Sequence, residues 1–171
     1  MVKSKGKSTV RPAKPASSAD SEARKARLAE VARLAQIFVD GELIGQLLTD
    51  QGQRWTDTDD IDYHYAPFIT LKKVVLRLEQ TPADGVPVYV NIWRQRPDDP
   101  AKGEPLVAGM RVTKLGSDMA AMPKALRAAI LNERTASEEY PGGVLAVFAP
   151  LYDSLHHVVG AVEVFDDAPK A

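Results

Sequence analysis

Residues 142–165, with the sequence GGVLAVFAPLYDSLHHVVGAVEVF, contain two apolar runs separated by a short polar segment. The first run closes at Pro150, and Gly160 opens the second. A turn is predicted between them at Asp153 and Ser154, because these side chains bond readily to neighbouring backbone groups. Two apolar runs of strand length joined by a short turn predict a β-hairpin.

Both faces of the first strand of this hairpin are apolar. One face carries Val144, Ala146 and Phe148, and the other carries Leu145, Val147 and Ala149. A sheet that is apolar on two sides must be covered on both. We expect a long N-terminal helix to cover one face, and loops, a short helix and a ligand to cover the other.

Two helical patterns precede the strands. The first begins at Ser21 and breaks near Asp40, and its apolar positions recur at helical spacing, namely Leu28, Val31, Ala32, Ala35, Phe38 and Val39. The second has Pro67 in its first turn and an apolar stripe formed by Leu71, Val74, Val75 and Leu78. Both patterns predict helices that pack one side against a core.

The rest of the chain reads mainly as strand. Strands are predicted at residues 86–95, 106–112 and 134–140, with a helix at 122–133. Residues 96–105, RPDDPAKGEP, hold three prolines and a glycine and are predicted to be irregular. Because the final hairpin has a short link, its strands are antiparallel. The sequence therefore predicts an α+β domain with a five-stranded, mainly antiparallel sheet.

Length and charge favour one folded domain with a tail. The chain has 171 residues with 44% hydrophobic composition, which suits a single domain. Residues 1–20 are predicted to be a disordered basic tail, and residues 21–171 a single domain. Basic residues without any acid mark the start of the tail: Lys3, Lys5, Lys7, Arg11 and Lys14. The remaining chain is net acidic, which argues against nucleic-acid binding.

The sequence leaves the cellular location open. It has no cysteine, which removes disulfides, thiolate zinc sites and Cys nucleophiles. No apolar stretch approaches the ~18–20 residues that a membrane span needs, and no secretory signal is visible. We expect a cytoplasmic protein as written, or one from which a membrane anchor has been removed.

The familiar enzyme and metal motifs are absent. The sequence contains no P-loop, GxGxxG, HExxH or GxSxG pattern. The acidic residues Asp57, Asp59, Asp60 and Asp62 lack the glycine and distal glutamate of a calcium loop. His156 and His157 are adjacent in a turn, which is poor metal geometry, and His64 stands apart. We therefore predict no enzyme activity, no metal and no cofactor.

One strand carries a candidate ligand surface. Alternation places Tyr89, Asn91 and Trp93 on the same face, and aromatic walls with a few polar groups suit small-molecule binding. The alternative is that the aromatics cap the core and the backbone satisfies Asn91. Glu163 lies among apolar neighbours, where Arg111, Arg94 or a ligand amine would supply the partner that a buried charge needs.

Five phrases of the sequence, in order, resemble the Cache family of PAS-like sensory domains over about residues 30–165. They are LAQIFVDGELIGQLLTDQG, then Tyr65 with PFITLKKVVLRLEQ, then VPVYVNIWRQ, then LGSDMAAMPKALRAAILNERTASEEY, and the final hairpin. The resemblance implies a PAS-like five-stranded antiparallel sheet with a long N-terminal helix. It also implies a non-catalytic small-molecule sensor in a signal-transduction system, in family members usually outside the cytoplasm.

By this resemblance, a ligand would lie between the sheet and the loop from Lys102 to Met122. The residues that would contact it are Tyr89, Asn91, Trp93, Arg111, Tyr140 and Glu163. The implied ligand is a small polar metabolite: a carboxylate, an amino acid or an amine. The acidic residue that family members often carry five positions after the last-strand glycine is Phe165 here, and Glu163 lies two positions before it.

Two other functions fit the sequence. A cytoplasmic GAF-like sensor also ends in a similar hairpin. A ligand-free interaction module would instead form a homodimer through its N-terminal helix. The order of the helices before the first strand favours the Cache-like domain.

Overall fold

The computed structural model describes residues 18–47, 66–82, 84–96, 98–111 and 122–167. The helices are α1 (Ser18–Phe38), α2 (Gly41–Gln46), α3 (Ala66–Leu78) and α4 (Lys124–Asn132). The strands are β1 (Tyr89–Gln95), β2 (Gly103–Ala108), β3 (Ala136–Tyr140), β4 (Val144–Tyr152) and β5 (Val158–Phe165). They form one antiparallel sheet in the order β2-β1-β5-β4-β3, which confirms the predicted α+β fold with a five-stranded antiparallel sheet and a long N-terminal helix.

The hairpin predicted from residues 142–165 is β4–β5, and its strands run further than expected. β4 continues to Tyr152, past Pro150, and β5 begins at Val158, before Gly160. The Asp153 carboxylate closes the turn by accepting hydrogen bonds from the backbone N–H groups of Leu155 (3.0 Å) and His157 (2.8 Å). Because this side chain bridges the whole turn, the two strands stay paired up to it.

The two faces of the sheet are covered by different helices. The α1 face, which includes Val90, Ile92 and Val164, packs against α1, α2 and α3. The α4 face, which includes Trp93, Phe148 and Phe165, packs against α4. The predicted division of β4 between two apolar faces is therefore present, with Leu145, Val147 and Ala149 on the α1 face and Ala146 and Phe148 on the α4 face.

Helix α1 supplies the largest cover for the sheet. Its buried positions recur every three or four residues: Leu28, Val31, Ala32 and Ala35. Phe38, which was predicted to continue this stripe, is 61% exposed, and this part of the prediction is wrong. The stripe continues instead through Val39, four residues after Ala35.

Helix α1 starts earlier than predicted and breaks where predicted. It begins at Ser18 instead of Ser21, so the last residues assigned to the tail are helical, while residues 1–17 lie outside the described part. The apolar stripe of α1 ends before Asp40. Asp40 is the N-cap of α2, and its side chain accepts a hydrogen bond from the Glu42 N–H at 3.0 Å. The predicted helix break near Asp40 is confirmed.

Strand β2 lies partly in the segment that was predicted to be irregular. It begins at Gly103 and includes Pro105, and the register with β1 shifts between Ile92 and Trp93. A proline is tolerated here because β2 is an edge strand and need not donate on its outer side. β2 ends at Ala108, short of the predicted residue 112, and the chain turns toward α3, where the Glu79 carboxylate accepts from the Met110 N–H at 3.0 Å.

An ion-pair cluster fastens α1 to the end of β5. The Asp166 carboxylate is 2% exposed, and it accepts from Arg24 Nε at 3.0 Å and from Arg27 Nη2 at 2.7 Å. Arg27 also pairs with Asp84, which follows α3. Removing one partner of a buried pair typically costs about 3–5 kcal/mol, because the other charge is left without compensation. The cluster therefore holds α1 firmly against β5.

Gly41 is expected to be intolerant of a side chain. A Cβ at this position would lie 2.0 Å from the backbone oxygen of Tyr152, so the contact between α2 and the end of β4 would have to open. Gly41→Ala should lower the free energy of unfolding in urea by about 1–3 kcal/mol.

Gly45→Ala is the matched control, because a Cβ there meets nothing within 4 Å and the residue lies in the same helix. It should be neutral or stabilise the protein by up to about 1 kcal/mol through helix propensity. Equal stability of the two variants would show that α2 does not pack closely on β4.

Candidate functional site

Strand register brings the predicted ligand-contacting residues of β1 and β5 together. Asn91 is the direct cross-strand partner of Glu163, Tyr89 pairs with Phe165, and Trp93 pairs with Ala161. Because side chains alternate along a strand, Tyr89, Asn91 and Trp93 share the α4 face with Glu163. The predicted shared face of these residues is present in the structure.

The Glu163 carboxylate is fully buried, with 0% exposure, at the middle of this face. Its Oε2 accepts hydrogen bonds from Trp93 Nε1 at 2.8 Å and from Asn91 Nδ2 at 3.0 Å. Hydrogen bonds to a charged acceptor are stronger than neutral ones, which offsets part of the cost of burying the charge. Two neutral donors from one neighbouring strand thus hold an acidic group inside an apolar layer.

The predicted arginine partners of Glu163 lie elsewhere. Arg94 pairs with Glu104 at 2.8 Å and donates to the Leu47 carbonyl, because alternation places it on the opposite side of β1 from Trp93. Arg111 pairs with Asp167. The structure therefore gives Arg94 and Arg111 the carboxylates of Glu104 and Asp167 as ion-pair partners, where Glu163 was expected.

Trp93 and Asn91, two of the predicted ligand-contacting residues, are part of the buried core. Trp93 is fully buried and packs with Leu126 and Phe148, so its aromatic ring belongs to the core and its indole N–H to Glu163. Asn91 Oδ1 accepts from the Gly109 N–H at 3.4 Å, while its amide donates to Glu163. Both residues are therefore buried side chains of β1 that donate to the Glu163 carboxylate.

Tyr140, on edge strand β3, packs against the same cluster. Its Oη is buried and has no hydrogen-bond partner among the described residues. The pKa of this phenol is raised above its ordinary value, chiefly by burial and then by the negative charges of Glu163 and Glu138. The hydroxyl thus stays neutral and can donate to a ligand.

Charged groups collect at the outer edge of the α4 face, next to Tyr89. The Arg111 guanidinium lies 4.8 Å from the centroid of the Tyr89 ring and pairs with Asp167, which also accepts from Tyr89 Oη at 3.4 Å. Hydrogen bonds with Tyr89 and then Asp167 raise the pKa of Arg111. The Arg111 side chain is 41% exposed, so it meets solvent while Glu163 does not.

The sequence reasoning missed Asp167 and Glu138. Asp167 follows Glu163 and Phe165 at alternate positions, and this period of two was a signal for its face. Glu138 accepts from the Ala125 N–H at 3.0 Å and so caps the start of α4 from the sheet; that contact depends on tertiary packing. Phe165 packs on the Tyr89 ring, with the ring centroids 5.2 Å apart.

The predicted covering loop from Lys102 to Met122 is only partly a loop. It contains strand β2, and its residues 112–121 lie outside the described part. Met122 and Leu126 cover the α4 face from α4 and the residues before it. The described boundary of the candidate site is thus formed by β1, β5, β3 and α4.

The predictions on metals and membranes concern several residues outside the described part, among them His64 and the acidic residues 57–62. Of the described histidines, His156 stacks on Tyr152 at 4.4 Å and His157 contacts Asp153. Within the described ranges, no group of three His, Cys, Asp or Glu residues is placed to hold a metal ion. None of the described helices is both long and apolar enough to span a bilayer.

Comparison with known families and curated proteins found no family model and no curated protein that matches this chain. Solved sensor domains do match. The sensor domain of DcuS from E. coli is 18% identical with a TM-score of 0.41, and the match covers 86% of this chain and 90% of that domain.

Two further solved structures are similar over most of this chain. The ligand-binding domain of the Pseudomonas aeruginosa amino acid chemoreceptor PctC, solved with GABA, is 14% identical with a TM-score of 0.33, covering 85% of this chain and 62% of that one. The periplasmic domain of RsbU from Chlamydia trachomatis is 10% identical with a TM-score of 0.32, covering 88% and 52%. This chain spans less than two thirds of either domain.

Loss of the Glu163 carboxylate is expected to lower the stability of the folded chain. Glu163→Ala leaves the donors of Trp93 and Asn91 without an acceptor and opens a cavity, so the free energy of unfolding in urea should fall by about 3–5 kcal/mol. Trp93→Phe removes one donor, keeps an aromatic ring and should cost less.

Glu104→Ala is the control for Glu163→Ala, because Glu104 is a partly exposed strand glutamate that also has a hydrogen-bonded partner. It should cost at most about 1 kcal/mol, since Arg94 can turn to solvent. A Glu163→Ala variant no less stable than Glu104→Ala would contradict the central place of this carboxylate.

The raised pKa of Tyr140 predicts an alkaline loss of stability. Above about pH 10 the unfolded chain loses the Tyr140 proton while the folded chain keeps it, so unfolding becomes easier as pH rises, by at most about 1.4 kcal/mol per pH unit. Urea unfolding between about pH 9 and 11 should show a shallower decline for Tyr140→Phe than for the parent protein. Parallel declines would show that Tyr140 ionises equally in both states.

Proposed function

We propose that this chain is a non-catalytic sensory domain that binds a small polar metabolite on the α4 face of its sheet. The observation that carries the proposal is the fully buried carboxylate of Glu163, which lies beside an apolar cluster together with the Asn91 amide and the Tyr140 hydroxyl. Buried charges contribute little net stability, so a carboxylate kept in such a place favours a functional role.

The polar groups on this face suggest what the ligand looks like. Glu163 and the Tyr140 hydroxyl lie toward the inside, and the Arg111 guanidinium lies at the edge over Tyr89. Tyr89, which lies under Arg111, pairs across the strands with Phe165, two residues beyond Glu163. The acidic end of the candidate site, at Glu163, and its basic end, at Arg111, are therefore separated by about 7 Å along the strand. A ligand with an amine at one end and a carboxylate at the other would complement both ends.

A thermal-shift screen tests this proposal. Carboxylates, amines, α-amino acids and ω-amino acids are added singly to the purified chain. A ligand at one hundred times its Kd adds about 2.7 kcal/mol of stability, which should raise the melting temperature by about 5–10 °C. We expect the largest shift from a compound that carries both an amine and a carboxylate.

Single substitutions of the site residues then test where the ligand binds. Arg111→Ala should reduce the affinity for the carboxylate end, and Tyr140→Phe the affinity for the polar inner end. Arg96→Ala is the matched control, because Arg96 forms a similar exposed ion pair with Asp98 beyond the far end of β1. The proposal fails if no compound class shifts the melting temperature, or if the shift survives unchanged in both site variants.

The predicted homodimer through the N-terminal helix stays a prediction. Leu28, Ala32 and Ala35 are buried within the chain and do not belong to a dimer surface. Ile37 and Phe38, at the end of α1, are exposed apolar side chains on the helix through which the dimer was predicted.

A further inference from the structure

Two consecutive aspartates at the end of β5 make contacts in opposite directions. Asp166 bonds to arginines of α1, while Asp167 bonds to the Arg111 side chain beside Tyr89. This follows from strand alternation, which directs neighbouring side chains to opposite sides of a sheet. Residues 166–167 therefore lie between the candidate ligand site and the N-terminal helix.

The contacts on the α1 side are buried and shared by two guanidinium groups. Arg24 and Arg27 both donate to Asp166, whose own N–H continues the ladder by donating to the Leu145 carbonyl at 3.1 Å. Arg24 also donates to the Gly143 carbonyl at 3.0 Å. Asp166 is thus held by its side chain and its backbone together.

The contacts on the ligand side are exposed. The Asp167 side chain pairs with Arg111, and both are about half exposed to solvent. An exposed ion pair is weak, so a competing anion can displace Asp167 from Arg111. The backbone of Asp167 is linked to α1 as well, because Arg24 Nη2 donates to its carbonyl at 3.3 Å.

We propose that residues 166–167 couple occupancy of the candidate ligand site to the attachment of α1. A carboxylate that binds Arg111 releases the Asp167 side chain, which loosens the chain at Asp167 and weakens the contacts of Arg24. The buried Asp166 is the fixed end of this link and Asp167 is the responsive end. The trigger rests on the proposed function, whereas the link itself is a property of the described contacts.

Hydrogen exchange measured on the unliganded chain tests the link without any ligand. Arg111→Ala frees Asp167 as a bound carboxylate would. Amides of residues 22–28 in α1 should then exchange about 2- to 5-fold faster, the factor that corresponds to one exposed ion pair. Amides of residues 71–78 in α3 should keep their rates, which separates a local effect from a general loss of stability.

Two further variants calibrate the measurement. Arg96→Ala removes a comparable exposed pair elsewhere and should leave α1 unchanged. Arg24→Lys keeps the charge but loses the planar fork, and should speed exchange in α1 more than Arg111→Ala does.

Unchanged α1 exchange in Arg111→Ala, or an equal change in α1 and α3, would overturn the coupling. Unchanged exchange in Arg24→Lys would overturn the anchoring by Asp166. A failed ligand screen with faster α1 exchange in Arg111→Ala would remove the trigger and keep the link, so the two proposals fail separately.

Discussion

The buried carboxylate of Glu163 constrains the rest of the structure. It lies on β5, the central strand, and its donors Trp93 and Asn91 both come from β1. A shift of the β1–β5 register by one residue would turn these donors to the α1 face and leave the charge without them. The acidic group and the register of the central strands therefore depend on each other, and the apolar contacts of Phe148 and Phe165 follow from that register.

The two faces of the sheet differ in what they add to this arrangement. The core under α1 and α3 is built from aliphatic side chains, and the polar groups beside it, those of Arg24, Arg27 and Asp166, pair with one another at its margin. The α4 face combines an apolar cluster with a carboxylate, an amide and a phenol. Both faces therefore contribute buried apolar area, and the α4 face in addition buries polar groups within its apolar cluster. Residues 166–167 contact both sides of the sheet, because Asp166 bonds to arginines of α1 and Asp167 bonds to Arg111 beside Tyr89.

Local patterns predicted most of the elements, and their failures have identifiable causes. Proline and glycine at residues 96–105 indicated a loop, yet Pro105 lies in β2, because an edge strand tolerates a missing donor. Helical spacing placed both Phe38 and Val39 in the apolar stripe, but only Val39, four residues after Ala35, is buried, and Phe38 is exposed. Alternation placed Tyr89, Asn91 and Trp93 on one face correctly, since a period of two follows from the backbone alone.

By itself, the sequence determined the hairpin, its two apolar faces and the set of side chains that share a face, because these depend on alternation and turn chemistry within a few residues. Only the tertiary structure decided that Glu163 is held by Trp93 and Asn91, and that Arg111 belongs to Asp167. Those partners come from strands that are distant along the chain. Which charges meet is set by strand order and register, and these are properties of the whole packed sheet.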